Sequence, residues 1–219
     1  MIIKKRYDQI FSINIFNFLL KDFTSLNDKL TEHIYNERDK EVRNSYYSSN
    51  APRIRSNRGG WHSHYMLQNN SNFDIFTEKL ISIINTEIVP TFFNNKLQLD
   101  KNDVNGLWAI INKKGNYNAL HNHPNAWLSG VYYVKSEGAN SGKICFKDPI
   151  SARTSISYAF DEVRGIGNTG SDYDCLQPDP GLLVLFPSYL EHMVEENESN
   201  SDRISLSFNI YPKIEERNL

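Results

Sequence analysis

Residues 203–210 read Arg-Ile-Ser-Leu-Ser-Phe-Asn-Ile, polar at every odd position and apolar at every even one. Side chains alternate across a β-strand, so this octet suits a strand with one apolar and one polar face. The apolar face must meet a core. Arg203, Ser205, Ser207 and Asn209 therefore face elsewhere together. On an open sheet such a face is simply wet. In a closed β architecture it can line an interior cavity.

The same texture runs through the second half of the chain. Strand-like segments at 107–112, 119–123, 127–134, 143–147, 155–160, 181–186 and 204–211 are separated by clusters of Gly, Pro, Asn and Asp. Many short strands at this spacing predict an antiparallel sandwich, barrel or jelly roll. The first half reads differently. A first strand is predicted at 8–16. A helix capped by Asp22 or Thr24 runs to about Arg38, with Phe23, Leu26, Leu30 and Ile34 at helical spacing. A second, amphipathic helix covers 73–93, with Phe76, Leu80, Ile83, Ile84 and Ile88 on one stripe and Pro90 ending or kinking it. The expectation is a mainly β protein with flanking helices. It forms one domain, 1–219, in which 1–103 flanks a β core at 104–213.

Composition narrows the function classes. At 219 residues, 39% hydrophobic and 23% charged, the chain can bury a real core. Its net charge of −2 argues against a nucleic-acid partner. No apolar run reaches membrane-spanning length, and the start lacks the core of a signal peptide. Two cysteines, Cys145 and Cys175, are too few for a disulfide framework, so a reduced, cytoplasmic setting is expected.

The chemistry concentrates in three places. His121-Asn-His123 precedes a strand, and residues i and i+2 of an extended chain point to one side. His192 follows the apolar run 181–186, which ends at Pro187. Two near imidazoles and one distant one can hold a divalent metal on one face and leave the other open; iron, zinc, copper and nickel all suit such ligands. Arg203 offers a permanently charged fork that matches a carboxylate, and Ser205 adds a hydrogen bond on the same face. A second histidine pair, His62 and His64, follows Gly59-Gly60-Trp61; nothing nearby completes a metal site there, and the loop reads either as a surface loop that covers the core with Trp61 or as a lid that brings Trp61 or His62 to a substrate. Each residue alone has an ordinary alternative, such as a surface histidine, or Arg203 paired with an acidic residue at 191–202.

Taken in order, these residues resemble a known family. Asn118-Ala-Leu-His121-Asn-His123-Pro124, Leu128-Ser-Gly-Val-Tyr-Tyr-Val134, Phe146-Lys-Asp148-Pro149, Pro180-Gly181 through Phe186-Pro187, His192 and Arg203-Ile-Ser205 resemble the Fe(II)/2-oxoglutarate-dependent dioxygenases. Within them the chain is similar to oxygenases of bacteria and phages. Ser56-Asn57 and Gly59-Gly60-Trp61-His62 extend the likeness into the first half. The resemblance implies a double-stranded β-helix, the cupin-like jelly roll. It implies His121, His123 and His192 as ligands of Fe(II), and Arg203 with Ser205 as the anchor of the far carboxylate of 2-oxoglutarate. Tyr133 and Asn112 become further cosubstrate contacts, and Trp61 and His62 stand on the substrate side. The implied reaction hydroxylates a small molecule or a protein side chain with O2, releasing succinate and CO2.

One position departs from the pattern. The family usually reads His-x-Asp or His-x-Glu, where this chain has His123. A carboxylate such as Asp148 or Glu191, or a water, is the alternative third ligand. Three-histidine sites on the related cupins include thiol dioxygenases that use no 2-oxoglutarate, and a non-catalytic jelly-roll module would keep the fold alone.

Overall fold

The computed structural model describes residues 13–43, 56–93, 97–149 and 173–213. Its strands are β1 (Phe16–Leu19), β2 (Asn57–Arg58), β3 (Trp61–His62), β4 (Val104–Asn112), β5 (Tyr117–His121), β6 (Leu128–Lys135), β7 (Ile144–Lys147), β8 (Tyr173–Leu176), β9 (Leu182–Pro187), β10 (His192–Val194) and β11 (Arg203–Ile210). The helices are α1 (Phe23–Arg43), α2 (Asp74–Ile83) and α3 (Val89–Phe93). The strands form two sheets. One has six strands in the order β1-β9-β6-β11-β4-β3, the other five in the order β2-β5-β10-β7-β8. All the strand pairs are antiparallel. This is the jelly-roll arrangement that the short, turn-separated strands predict.

β11 shows how sequence pattern sets the layers. Its even residues, Ile204, Leu206, Phe208 and Ile210, are all fully buried among residues of α1 and α2 such as Leu30, Ile34, Phe76 and Leu80. Burying a side chain of this size stabilises the fold by roughly 1.5–3 kcal/mol. The packing is close enough that a Cβ at Gly130, on the neighbouring β6, would collide with the Phe208 ring. The opposite face of this sheet points to the space between the sheets. There a smaller apolar cluster of Val131, Tyr133, Ile144, Phe146, Val184, Phe186 and Leu190 closes one side.

Several expectations shift. The first strand spans Phe16–Leu19 rather than 8–16, and residues 8–12 lie outside the described residues, as do those of the strand predicted at 155–160. Pro90 does not end the second helix. A wide turn over Ile84–Ile88, in which the Val89 N–H reaches back to the Ile84 carbonyl, precedes it, and the helix continues to Phe93. Such a turn gives the proline ring room against the preceding carbonyls. The cysteines require a correction. Cys145 and Cys175 face each other across β7 and β8 and are joined in a disulfide. No helix among the described residues is long and apolar enough to cross a membrane.

Candidate metal centre

The three histidines of the sequence reading converge. β5 ends on His121 and β10 begins on His192, and these two are register partners. Two residues beyond β5, the His123 N–H donates to the Ser188 carbonyl (2.9 Å), which folds the chain back over the end of β9. The ring centroids stand 5.0 Å (His121–His123), 4.3 Å (His121–His192) and 5.2 Å (His123–His192) apart. One ring nitrogen from each lies within 4.8 Å of the others. The end of β5, the residue two beyond it and the start of β10 bring this about.

The rings are also set up electronically. His121 Nδ1 lies 2.8 Å from the Ala119 carbonyl, and His192 Nδ1 lies 2.9 Å from that of Leu190. A carbonyl only accepts, so in both rings Nδ1 carries the proton and Nε2 keeps its lone pair. Desolvation by burial lowers the pKa of all three. It holds His123 at about 4 and His192 at about 3, with repulsion from the neighbouring imidazoles adding to the effect, and it lowers His121 as well. Phe186 packs edge-on to His192 at 4.6 Å, part of the apolar wall behind this effect. Three neutral imidazoles with free lone pairs fit Fe(II), as they fit other borderline divalent metals. Among the described residues no carboxylate joins this group. Glu191 is held by Lys147 at 2.9 Å instead.

The polar face of β11 carries the second half of the site. Arg203 and Ser205 are buried and line the same cavity as the histidines, a space of about 230 Å3. Arg203 Nη1 donates to the carbonyls of Ser141, Gly142 (3.2 Å) and Glu195 (3.1 Å), which locks the guanidinium in place. Among the described residues its Nη2 has no partner, and neither does the buried Tyr133 hydroxyl. Ser205 pairs with Tyr133 on one side of β11, and Arg203 pairs with Asn112 on the other. Burial pushes the Tyr133 hydroxyl up to about 12, so it stays a donor. A buried polar group left unpaired costs about 1–3 kcal/mol, so two of them beside one cavity mark a place that receives acceptor oxygens. Asn112 also lines the cavity, with its Nδ2 donated to Asn57 Oδ1 at 3.0 Å.

Trp61 and His62 part company. Alternation along β3 sends the Trp61 ring to the helix-backed core and His62 to the cavity. The wall that the lid reading assigned to Trp61 is supplied by Trp108, which the sequence reading passed over. Its ring stacks on His62 (5.8 Å, 7°), meets Tyr65 edge-on at 5.2 Å and lies 5.8 Å from His123. The signal was present in β4, where Trp108, Ile110 and Asn112 share one face two residues apart.

The chain is similar to known proteins in sequence pattern and in fold. Residues 106–209 match the family described as "Putative 2OG-Fe(II) oxygenase". No curated protein matches the chain by sequence. Among solved structures, a prolyl-4-hydroxylase from Pseudomonas putida is 13% identical, covers 92% of this chain and 94% of its own, and has a TM-score of 0.54. A prolyl hydroxylase from Trichoplax adhaerens, solved with a hypoxia inducible factor peptide fragment, is 12% identical over 92% of this chain and 84% of its own, TM-score 0.55. HygX from Streptomyces hygroscopicus, solved with nickel and 2-oxoglutarate, is 10% identical over 92% and 84%, TM-score 0.52. At these identities the likeness is one of fold.

Proposed function

We propose that this chain is a 2OG-Fe(II) oxygenase, an oxidoreductase that uses Fe(II) and 2-oxoglutarate, as the family match over residues 106–209 supports, and that His121, His123 and His192 hold the metal while Arg203, Ser205 and Tyr133 hold the cosubstrate. The observation that carries the assignment is the pair of donors without a partner among the described residues, Arg203 Nη2 and the Tyr133 hydroxyl, in the cavity where the three imidazoles converge. When bound, Fe(II) supplies O2 activation coupled to the oxidative decarboxylation of 2-oxoglutarate to succinate and CO2, with hydroxylation of the substrate.

The protein's own part is positioning and shielding. The Ala119 and Leu190 carbonyls fix the tautomers of His121 and His192, so both present Nε2 without a prior proton loss. Arg203 is preorganised by three carbonyls, which leaves Nη2 aimed at one carboxylate oxygen rather than sampling several. Ser205 and the Tyr133 hydroxyl add neutral donors beside it. Phe186 and Phe146 keep water from the back of His192. Asn112 acts one step behind, orienting the Asn57 loop that borders the cavity. His123, standing where relatives usually place a carboxylate, makes the ligand set neutral, so the cosubstrate's two negative charges balance the metal.

Further parts of the reading follow the same lines. The chain acts as one domain, with 1–103 backing a core at 104–213. The substrate is a small molecule or a protein side chain, with His62 on its side of the cavity. A cytoplasmic location competes with the Cys145–Cys175 bond, since disulfides persist chiefly in oxidising compartments; thiol titration of protein trapped from intact cells decides between them. The direct test of the site is calorimetric titration of 2-oxoglutarate into Ni(II)-loaded protein. Wild type binds, and Arg203→Ala loses roughly 10–100-fold in affinity, the size of a lost charge-assisted hydrogen bond. Equal affinity in both proteins would sink the Arg203 anchor and favour a three-histidine enzyme that uses no 2-oxoglutarate at this position.

A further inference from the structure

The polar face of β11 is longer than the proposed cosubstrate needs. From Arg203 to Asn209 it covers six residue steps, about 20 Å at strand spacing. At one end Arg203 is locked against Gly142 and Glu195. The histidines meet this face near its middle: Ser207 is the register partner of Trp108, whose ring stands 5.8 Å from His123. A short dicarboxylate stretched from the histidines to Arg203 therefore occupies the Arg203–Ser205 half. Ser207 and Asn209 line the other half of the same cavity, next to Trp108 and Tyr65.

That second half has a definite chemistry. Asn209 Oδ1 accepts from Ser129 Oγ at 2.7 Å, which fixes the amide plane on the sheet. Asn209 Nδ2 and Ser207 Oγ make no side-chain hydrogen bond to any described residue, and both residues are half-buried. Among the described residues lining the cavity there is no carboxylate or lysine, and Arg203 is the one permanently charged group, at the far end. A charged group brought to the Asn209 end would lose its water without a counter-charge from these residues, at a cost of several kcal/mol or more. An uncharged acceptor oxygen would be met by the Asn209 N–H, and the flat apolar face of Trp108 would cover the group beside it.

We infer that Ser207, Asn209 and Trp108 form the substrate subsite, and that it takes an uncharged amide, a peptide bond or a carboxamide, flanked by an apolar group. The inference rests on the oxygenase reading, because it assigns the half of the face that the cosubstrate leaves open. The substrate carbonyl accepts from Asn209 Nδ2, the Ser207 hydroxyl gives a second contact, and Trp108 sets the distance between the apolar group and the histidines.

The test uses the full chain loaded with Ni(II) and 2-oxoglutarate. The probes are N-acetyl N-methylamides of valine, leucine, proline and phenylalanine, each paired with its N-acetyl carboxylate and its free-amine N-methylamide. Binding is followed by saturation-transfer NMR, and 2-oxoglutarate affinity by calorimetry. At least one doubly capped amide binds, and its two charged counterparts bind at least tenfold more weakly. Asn209→Leu and Trp108→Ala each weaken the amide at least tenfold while 2-oxoglutarate affinity stays within twofold of wild type. If Asn209→Leu does not fold, Asn209→Ser and Ser207→Ala carry the same comparison, with losses of at least threefold. Charged probes that bind as well as the amides, amide binding indifferent to these substitutions, or no amide binding while 2-oxoglutarate binds, would each overturn this inference alone. A wild type that binds no 2-oxoglutarate would overturn the oxygenase reading and this inference with it.

Discussion

Three central strands of the six-stranded sheet are long and sealed by helices, whereas every strand of the five-stranded sheet is short. β4, β6 and β11 run nine, eight and eight residues, and α1 and α2 cover their outer face. In the five-stranded sheet the strands run two to five residues. Yet that sheet carries two of the three converging histidines, His121 and His192. Length and regularity make a floor that holds Arg203 and Tyr133 at fixed spacing. Short strands with turns close behind them let side chains from strand ends meet. Core packing is thus concentrated on one sheet, and two of the histidines proposed to hold the metal stand on the other.

The sharpest way to break this division is to damage each sheet and read both properties. Phe208→Ala, in the helix-backed core, should cost about 3–5 kcal/mol in denaturant unfolding, the range for truncating a buried phenylalanine. Metal affinity of the folded fraction should stay within twofold; a parallel collapse of metal binding would mean that the sheets are not separable.

Removing the Cys145–Cys175 bond, which closes a separation of 30 residues between β7 and β8, should lower stability by about 2–4 kcal/mol by the loop-entropy argument. A thermal scan of the Cys145→Ala/Cys175→Ala protein measures it. Retained Ni(II) binding would show that the outer edge of the five-stranded sheet stabilises without shaping the centre.

His192→Ala should do the reverse. Ni(II) affinity should fall by at least about 100-fold, some 2.7 kcal/mol, while the unfolding midpoint moves little. A protein that unfolds without this imidazole would make the histidines part of the structural core.

Acid should find the same sheet first. An unfolded histidine takes up its proton near pH 6.5, whereas burial delays that step to about 4 in His123 and about 3 in His192. Between those values the unfolded chain binds more protons, so the metal-free protein should lose stability steadily as pH drops from 6.5 toward 4 and change little on this account above pH 7. Denaturation curves at pH 7.5, 6 and 5 check this, and His123→Asn should flatten the slope. The smallest effect belongs to the rim. Lys147→Ala removes an exposed pair with Glu191 and should shift stability by no more than about 1 kcal/mol, fading further in high salt.

The same contrast explains what could be read from the sequence. β11 was legible because a period of two persists over eight residues, and its outcome, with Ile204, Leu206, Phe208 and Ile210 in the core, follows from that period alone. β4 and β6, also long, were visible instead as apolar and aromatic runs bounded by turn residues. β2 and β3 are two-residue bridges with no period to detect, and β8 gave none either. Pro90 misled because a local rule met a wide turn that only the packed helix supports. The cysteine bond escaped because cross-strand adjacency between β7 and β8 depends on pairing, not on spacing along the chain. In the site, His121-Asn-His123 carried a local signal, whereas Trp108 was hidden inside an apolar run where nothing distinguishes a cavity-facing ring from a core one. Trp61, by contrast, stood out beside two glycines and faces the core.

The two faces of β11 also constrain how a lineage carrying this chain can change. Deleting a single residue between Arg203 and Ile210 would turn the rest of the strand over, sending leucine and phenylalanine into the cavity and serine and asparagine under the helices. Length is therefore frozen there. Identity at Ser207 and Asn209 is not, since neither packs in the core, and new substrates can be reached by point substitution on a strand whose other face never has to move.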